Sequence, residues 1–477
     1  MSRIPLAFAC FVIASAFCGC AASNVAPPTA GAYQRDQSVA PGGVVAAAGS
    51  TYSHFPTWAT DEYWGPGANA TSAQVQQYAS YAQGGLGNDK AVLDCPGSSC
   101  KSVFYVDPNF LYANASCPAT AAADVLSAAT EGWYIHEAGY TDAAHRVHGS
   151  MSTTCNGVSE TVPVYVLNDF STLVQTYFRS YLRANADAWN YYFMDDTSGE
   201  ILTQMYGPGG GFCQNNPPNH YCTTTQELPT DATVVYAHSV FANAMTHASG
   251  APMDFFYNGL TTSDGQPTDL TVLDGSSHFS GVVCEDCIVN GGTLRPTMYA
   301  PVLTSMAYVD GTTAGQFVEL NHGSSPAGSA AQVTQRMVTT AIAWLGYKAG
   351  HTIVFPSLED NSESLAVWPE DNVVPSSPVQ SMVNSATDIQ TSTAGVYRRE
   401  FSSCTNAGVS IGPCAALINS TSSAVTVLSS WLHNTYGHVI TTSGGDLISG
   451  GTLLLTSTVF TPNVTTIPAS QALLLSR

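Results

Sequence analysis

Between residue 50 and about residue 360 the chain repeats one unit: a short apolar run rich in aromatic and β-branched residues, then a longer helical or loop-like stretch. The runs are Tyr52 to Phe55, Val103 to Asp107, Gly132 to His136, Tyr191 to Asp195, Met253 to Asn258, Gly281 to Glu285, Gln316 to Leu320 and Thr352 to Phe355. Eight strand candidates joined by crossover segments predict parallel strands, and with them an α/β fold of the (β/α)8 TIM-like barrel type. One crossover, Ser171 to Leu182, places Leu173, Val174, Tyr177, Phe178, Tyr181 and Leu182 in a helical stripe, with Asp169 or Ser171 able to cap its start. A second helix is expected over Ala331 to Leu345.

Past Pro378 the pattern changes. Val396 to Phe401, Ala416 to Ile418, Ala424 to Leu428, Gly437 to Thr441 and Leu453 to Ser457 are short strand-like runs between Gly, Ser, Asn and Pro. No helical period survives there, which predicts a small antiparallel β-sandwich domain. The expected division is a barrel over 51–390 and a sandwich over 391–477.

The N-terminus names a compartment. Arg3 precedes the apolar run Ile4 to Gly19, which is too short to cross a bilayer with loops on both sides but suits a secretory signal over residues 1–20. The run closes on Phe17-Cys18-Gly19-Cys20, similar to a bacterial lipobox, so Cys20 is a candidate lipid-bearing first mature residue. Cleavage near Ala21-Ala22-Ser23 is the alternative. Residues 21–50, rich in Ala, Gly, Pro and Ser, then form a flexible tether. The expectation is an exported protein, either a cell-envelope lipoprotein or secreted, touching membrane only through that lipid. Three of the 13 cysteines lie in this leader, and the remaining ten fall in near-neighbour pairs. These are Cys95/Cys100, Cys117/Cys155, Cys213/Cys222, Cys284/Cys287 and Cys404/Cys414, an even set that suits disulfides in an oxidising compartment. Zinc is the competing reading for Cys284-Glu285-Asp286-Cys287, although no second such pair stands near it.

Charge excludes further classes. With 13 basic against 34 acidic residues the net charge is -21, which repels nucleic-acid backbones and anionic lipid surfaces. Hydrophobic residues make up 44% of the chain and charged ones 10%, enough for a large core and wrong for a disordered chain. A monomer that needs no cofactor is expected.

The chemistry concentrates at the ends of the fourth to sixth strand candidates. Alternate residues of a strand share a face, so Tyr191, Phe193 and Asp195 point together, while Asp196 points away or begins the loop. Glu285 ends another run two strands on, and Asn258 ends the strand between. Two carboxylates entering one polar bowl from different strands are what glycoside hydrolysis needs, one as nucleophile or base and one as proton donor. The alternative is structural, with Asp195 capping the next helix and Glu285 paired to a cation.

At these residues the chain resembles a known family. Tyr192-Phe193-Met194-Asp195-Asp196-Thr197-Ser198-Gly199, preceded by the helix Tyr177 to Arg183, is similar to the strand-four motif of the hypothetical glycosyl hydrolase family 15 type. Gly281 to Glu285 resembles that group's acidic strand-six motif, Trp368-Pro369-Glu370 its Trp-Pro-Glu segment, and Val396 to Phe401 the opening of its C-terminal β-domain. The resemblance implies an extracellular glycoside hydrolase, with Asp195 and Glu285 as the catalytic pair.

Other candidates are supporting ones. Trp58, Trp64, Tyr105 and Trp133 could stack on a sugar ring or simply fill the core. Asp107, His136, Asp196 and Asn258 could hydrogen-bond sugar hydroxyls, or be satisfied buried polar groups. Glu319 is the rival to Glu285 as second carboxylate. The carbohydrate partner is thus expected to be a polysaccharide or oligosaccharide that the chain hydrolyses. The alternative is a catalytically silent surface lipoprotein that binds glycan in the same bowl.

Overall fold

A computed structural model describes residues 58–60, 84–87, 101–106, 108, 110–112, 129–134, 136, 140–146, 148–155, 158–168, 171–195, 197, 231–258, 279–311, 315–321, 329–348, 352–354, 369–442 and 455–477. The leader, with Cys20 and the tether, lies outside these residues, as does the expected run Tyr52 to Phe55. Among the described residues no helix is long and apolar enough to cross a membrane.

The strands, in chain order, begin with β1 (Trp58–Thr60), β2 (Gly84–Gly87) and β3 (Lys101–Val106). An inserted antiparallel trio follows, β4 (Phe110–Tyr112), β5 (His148–Cys155) and β6 (Val158–Val166). After it come β7 (Tyr191–Met194), β8 (Phe255–Asn258), β9 (Phe279–Glu285), the hairpin β10 (Val289–Asn290) and β11 (Thr293–Leu294), then β12 (Gln316–Leu320) and β13 (Thr352–Val354). The principal sheet has eight strands in the order β1-β2-β3-β7-β8-β9-β12-β13, every pairing parallel. Spatial order therefore follows chain order, as successive strand-helix units require. Among the described residues β1 and β13 are the ends of this sheet.

One expected strand is corrected. Gly132 to His136 is not in the sheet: Glu131–Trp133 is a 3-10 turn, and Tyr134 and His136 make single antiparallel bridges to Leu167 and Arg146. Its aromatic residues are apolar for another reason, since Trp133 packs on Tyr177 at 4.8 Å and Tyr134 on Tyr165 at 5.3 Å between ring centroids. The missing member is β2, whose Gly-Gly-Leu-Gly sequence carries almost no strand signal. Val103 to Val106 is consequently the third strand of the sheet.

Helix α1 (Thr172–Ala186) buries Val174, Phe178, Leu182 and Ala186, one face at helical spacing. Ser171 stands at its N-cap, but its hydroxyl donates to the carbonyl of Gly132 at 2.7 Å and does not cap. Helices α2 (Asp231–Ala244), α3 (Tyr299–Gly311) and α4 (Ala330–Leu345) follow later strands, and α4 is capped by Ser329, which accepts from the Gln332 amide at 3.2 Å. Helix residues and the outward strand residues Phe104, Val106, Tyr192, Met194, Phe255, Tyr257, Val282, Cys284 and Phe317 form one apolar core. The opposite sheet face carries its own cluster, Val103, Phe193, Phe256 and Val283 with Tyr105 and Tyr191 against it.

Between β8 and β9 the register slips by one residue: Phe255 pairs with Phe279, but Phe256 pairs with Gly281. Gly281, at φ 153°, takes up the bulge. Phe279 accordingly lies with the helix-side core, whereas Val283 lies with the opposite cluster. The alternation is reset just before Glu285.

The C-terminal part is a six-stranded antiparallel sheet in the order β14-β15-β16-β21-β18-β19. Its strands are β14 (Val373–Pro378), β15 (Val396–Asn406), β16 (Val409–Asn419), β18 (His438–Thr442), β19 (Leu455–Val459) and β21 (Ala472–Ser476), with a separate ribbon of β17 (Val425–Thr426) and β20 (Thr466–Ile467). The sheet begins at Val373, before the expected residue 391. It is also layered differently from a sandwich of two large sheets. Tyr397, Phe401, Ala416, Ile418 and Leu474 join the main core beneath α4, while Val396, Ala415, Leu417 and Leu475 cover a smaller cluster with Val427, Trp431 and Ile467. Arg399 Nη1 donates to the carbonyls of Leu345 and Tyr347 at 2.8 and 2.9 Å, satisfying backbone at the end of α4. Arg336 of α4 pairs with Glu370 at 2.6 Å, both nearly fully buried. The Trp-Pro-Glu segment therefore contributes a structural carboxylate.

Candidate active site

The alternation that fills the second apolar cluster also aims the polar residues above it. Tyr105 continues from Val103 on β3, Asp195 follows Phe193 just past β7, Asn258 follows Phe256 at the end of β8, and Glu285 follows Val283 at the end of β9. All four stand at the C-terminal ends of their strands, where parallel α/β sheets place their chemistry. The structure brings them into direct contact.

Asn258 Nδ2 donates to Asp195 Oδ1 at 2.7 Å and also to Glu285 Oε2. Tyr105 Oη donates to the other Asp195 oxygen at 2.7 Å, its ring stacked on Phe193. Asp195 and Glu285 are half-buried and Asn258 is buried. Because one nitrogen reaches an oxygen of each carboxylate, those two oxygens can be no more than about 5.5 Å apart. Both Asp195 oxygens thus accept a hydrogen bond, one from Tyr105 and one from Asn258.

A further layer fixes Asn258. The backbone N–H of Thr197 donates to the Asn258 carbonyl at 3.1 Å, and the Thr197 hydroxyl donates to the same oxygen. Thr197 in turn offers its carbonyl to His238 Nδ1 on α2 at 3.1 Å. Burial pushes the His238 imidazole down to about 4, partly countered by that carbonyl, so the ring is neutral at neutral pH with its proton on Nδ1. Neither Thr197, as a positioning group, nor His238 was picked out from sequence. His238 belongs to no spacing motif, and only its burial and its neighbour give it a role.

Around Glu285 the backbone is also constrained. Cys284 and Cys287 are joined as a disulfide, as are Cys404 and Cys414 across β15 and β16. The sulfurs of Cys284 and Cys287 are thus bound to each other, and among the described residues no group of three or more His, Cys, Asp or Glu is arranged to hold a metal ion. The other expected cysteine pairs lie wholly or partly outside the described residues.

The remaining candidates have varied placements. Trp133 is 4% exposed inside the core, so its ring is not a platform open to a sugar. His136 faces Glu131 at 3.2 Å, next to the Arg146–Glu131 ion pair of the insertion. That ion pair, with His136, draws Glu131 down to about 2. Glu319 lies in register with Cys284, whereas Leu320 is the residue level with Glu285. Its side chain, like that of Trp58, is outside the described residues, as are Asp107, Asp196 and Trp64 altogether.

No family model matches the chain, and no curated relative is found for it. Among solved structures the chain is similar to a cycloisomaltooligosaccharide glucanotransferase of Paenibacillus sp. complexed with cycloisomaltoheptaose, at 8% identity and a TM-score of 0.32, over 90% of this chain and 56% of that one. It is similar to a MUTB mutant from crystals soaked with trehalulose, at 8% identity and a TM-score of 0.41, over 88% of this chain and 99% of the other. A third is a Flavobacterium johnsoniae dextranase complexed with glucose, at 8% identity and a TM-score of 0.30, over 90% and 52%. The chain spans only about half the length of the first and third. The functional reading stands on the geometry of the site.

Proposed function

We propose that this chain is an exported glycoside hydrolase that cleaves an oligosaccharide or polysaccharide with retention of anomeric configuration. Asp195 is the nucleophile and Glu285 the acid/base. The observation that carries this reading is the Asn258 amide shared by the two carboxylates, which draws one oxygen of each to within about 5.5 Å of the other, a closeness that suits a retaining pair. In the first step Glu285 protonates the glycosidic oxygen as Asp195 attacks the anomeric carbon, and the leaving sugar departs with that proton. In the second, Glu285 takes a proton from water, which displaces Asp195 and regenerates both groups. Tyr105 and Asn258 hold the Asp195 oxygens for attack.

The resemblance of the strand-four and strand-six motifs to the hypothetical glycosyl hydrolase family 15 type supports the same assignment, as does the chain-order parallel sheet, which suits closure between β13 and β1 into a barrel. The leader and Cys20 make the mature protein a lipid-anchored envelope enzyme, working as a monomer without a cofactor. Intact-mass analysis after bacterial expression would show a diacyl or triacyl addition at Cys20, and an unmodified N-terminus at residue 22 or beyond would refute the anchor.

The deciding experiment is hydrolysis of a glycan panel by the native protein and by Asp195→Asn, with the product anomer followed by proton NMR. Turnover with retained configuration, lost in Asp195→Asn, is expected. Inverted product would refute the retaining mechanism, and equal activity in the variant would refute the site.

A further inference from the structure

Glu285 sits inside a four-residue covalent ring. Cys284 precedes it, Cys287 follows after Asp286, and the disulfide draws their Cα atoms to 5.7 Å. Both cysteines are 1% exposed. Asp286 is forced to φ 55°, the left-handed region that a non-glycine residue enters only when its surroundings demand it.

The ring is pinned on its far side as well. Arg295 Nη1 donates to the Asp286 carbonyl at 2.8 Å, and Asn321 Oδ1, buried just past β12, accepts from the amides of Ile288 and Val289 at 3.0 and 2.9 Å. On the near side Glu285 is level with Leu320 in the parallel ladder. A strand end would ordinarily pass here into a freer loop, yet Glu285 is fixed from both directions.

Closing so short a loop restrains the unfolded chain least, so global stability is a poor account of this bond. Placement is a better one, because a proton donor works only when held within a fraction of an ångström of the oxygen it protonates. Resting on the reading of Glu285 as the acid, we propose that the Cys284–Cys287 disulfide is a positioning device for proton donation by Glu285.

Leaving-group dependence separates positioning from mere stability. Phenyl and 2,4-dinitrophenyl glycosides of α-D-glucose, α-D-galactose and N-acetyl-α-D-galactosamine are compared, using the sugar that native protein hydrolyses best. Phenolate needs protonation to leave and dinitrophenolate does not. In C284A/C287A, kcat/KM should fall about tenfold or more on the phenyl substrate and stay within about threefold on the dinitrophenyl one. C284V/C287A provides a second packing of the buried site, with native circular dichroism required of either. Equal losses on the two substrates, no loss on either, or failure of both variants to fold would overturn the proposal, the last because the bond would then carry the fold. Glu285→Gln is run alongside. If it shows no leaving-group contrast, or if native protein hydrolyses none of the six glycosides, the acid assignment fails and the inference fails with it. Contrast in Glu285→Gln without contrast in the cysteine variants removes the inference alone.

Discussion

The backbone carbonyl oxygen of Asn258 accepts from Thr197 twice, from its backbone N–H at 3.1 Å and from its hydroxyl, so the main chain of the residue that spans the two carboxylates is held from behind. With its main chain fixed there, the Asn258 side-chain amide donates to both Asp195 and Glu285. Few arrangements offer a single donor to two acids.

Replacing Asn258 should therefore damage catalysis more than binding. Asn258→Leu removes the shared donor at similar volume, and Asn258→Asp puts an acceptor where the amide donates to both carboxylates. Each should lower kcat about a hundredfold or more with KM changed less than about threefold. Steady-state kinetics with circular dichroism on the same samples checks this, and a rise in KM at unchanged kcat would count against it.

Tyr105→Phe keeps the ring on Phe193 and deletes only the hydroxyl that donates to Asp195. One Asp195 oxygen loses its Tyr105 donor, so kcat should fall by about tenfold, equivalent to one hydrogen bond of roughly 1.5 kcal/mol. The melting temperature should move by only a few degrees. A variant as active as native would show that the Asp195 position does not depend on this contact.

One buried and one half-buried group should tilt stability with pH in opposite directions. Burial lowers His238 from 6.5 to about 4, so its contribution is intact above pH 6.5 and is lost as pH falls toward 4, where the unfolded chain alone gains the proton. Burial raises Asp310 from 3.8 to about 7, against the pull of Lys348 and Arg399, so its contribution is intact below pH 3.8 and is lost as pH rises toward 7. Asp310→Asn should stabilise the protein at pH 8, by about 1–3 kcal/mol, and do little near pH 4. Urea midpoints at both pH values test this; a gain confined to pH 4 would reverse the sign.

The buried Arg336–Glu370 pair fastens α4 to the turn that leads into β14. Arg336→Met strands Glu370 in the interior and should cost about 3–5 kcal/mol, while the double variant with Glu370→Leu should recover much of that loss. A double-mutant cycle by denaturant unfolding reads the coupling. Losses that simply add would show that the pair does not interact.

Much of this architecture could be read from residues alone, and the failures are physical. Strands β7, β8 and β9 announce themselves because each is buried on both faces and so reads as a continuous apolar run, and β12 and β13 are legible from short aromatic or β-branched runs. β2 does not, since its glycines carry no side chains, whereas Gly132 to His136 mimics a strand because Trp133 and Tyr134 are apolar for packing against α1 and the insertion. Asp195, Asn258 and Glu285 were visible as polar residues ending apolar strands, but the roles of Thr197 and His238 depend on contacts across 61 and 41 residues of chain. No local pattern encodes such distances.

The bulge at Gly281 makes the acid a matter of counting. Ser280 is the residue the bulge absorbs, so its deletion would leave Phe279 and Gly281 in their present pairings and Glu285 on its present face, whereas deletion of Val282, past the bulge, would bring Cys284 rather than Glu285 to the side that Val283 now shares. A one-codon deletion within the strand would thus turn the carboxylate away from Asp195 and Asn258 with all three residues still present, while an insertion that restored the count would bring it back.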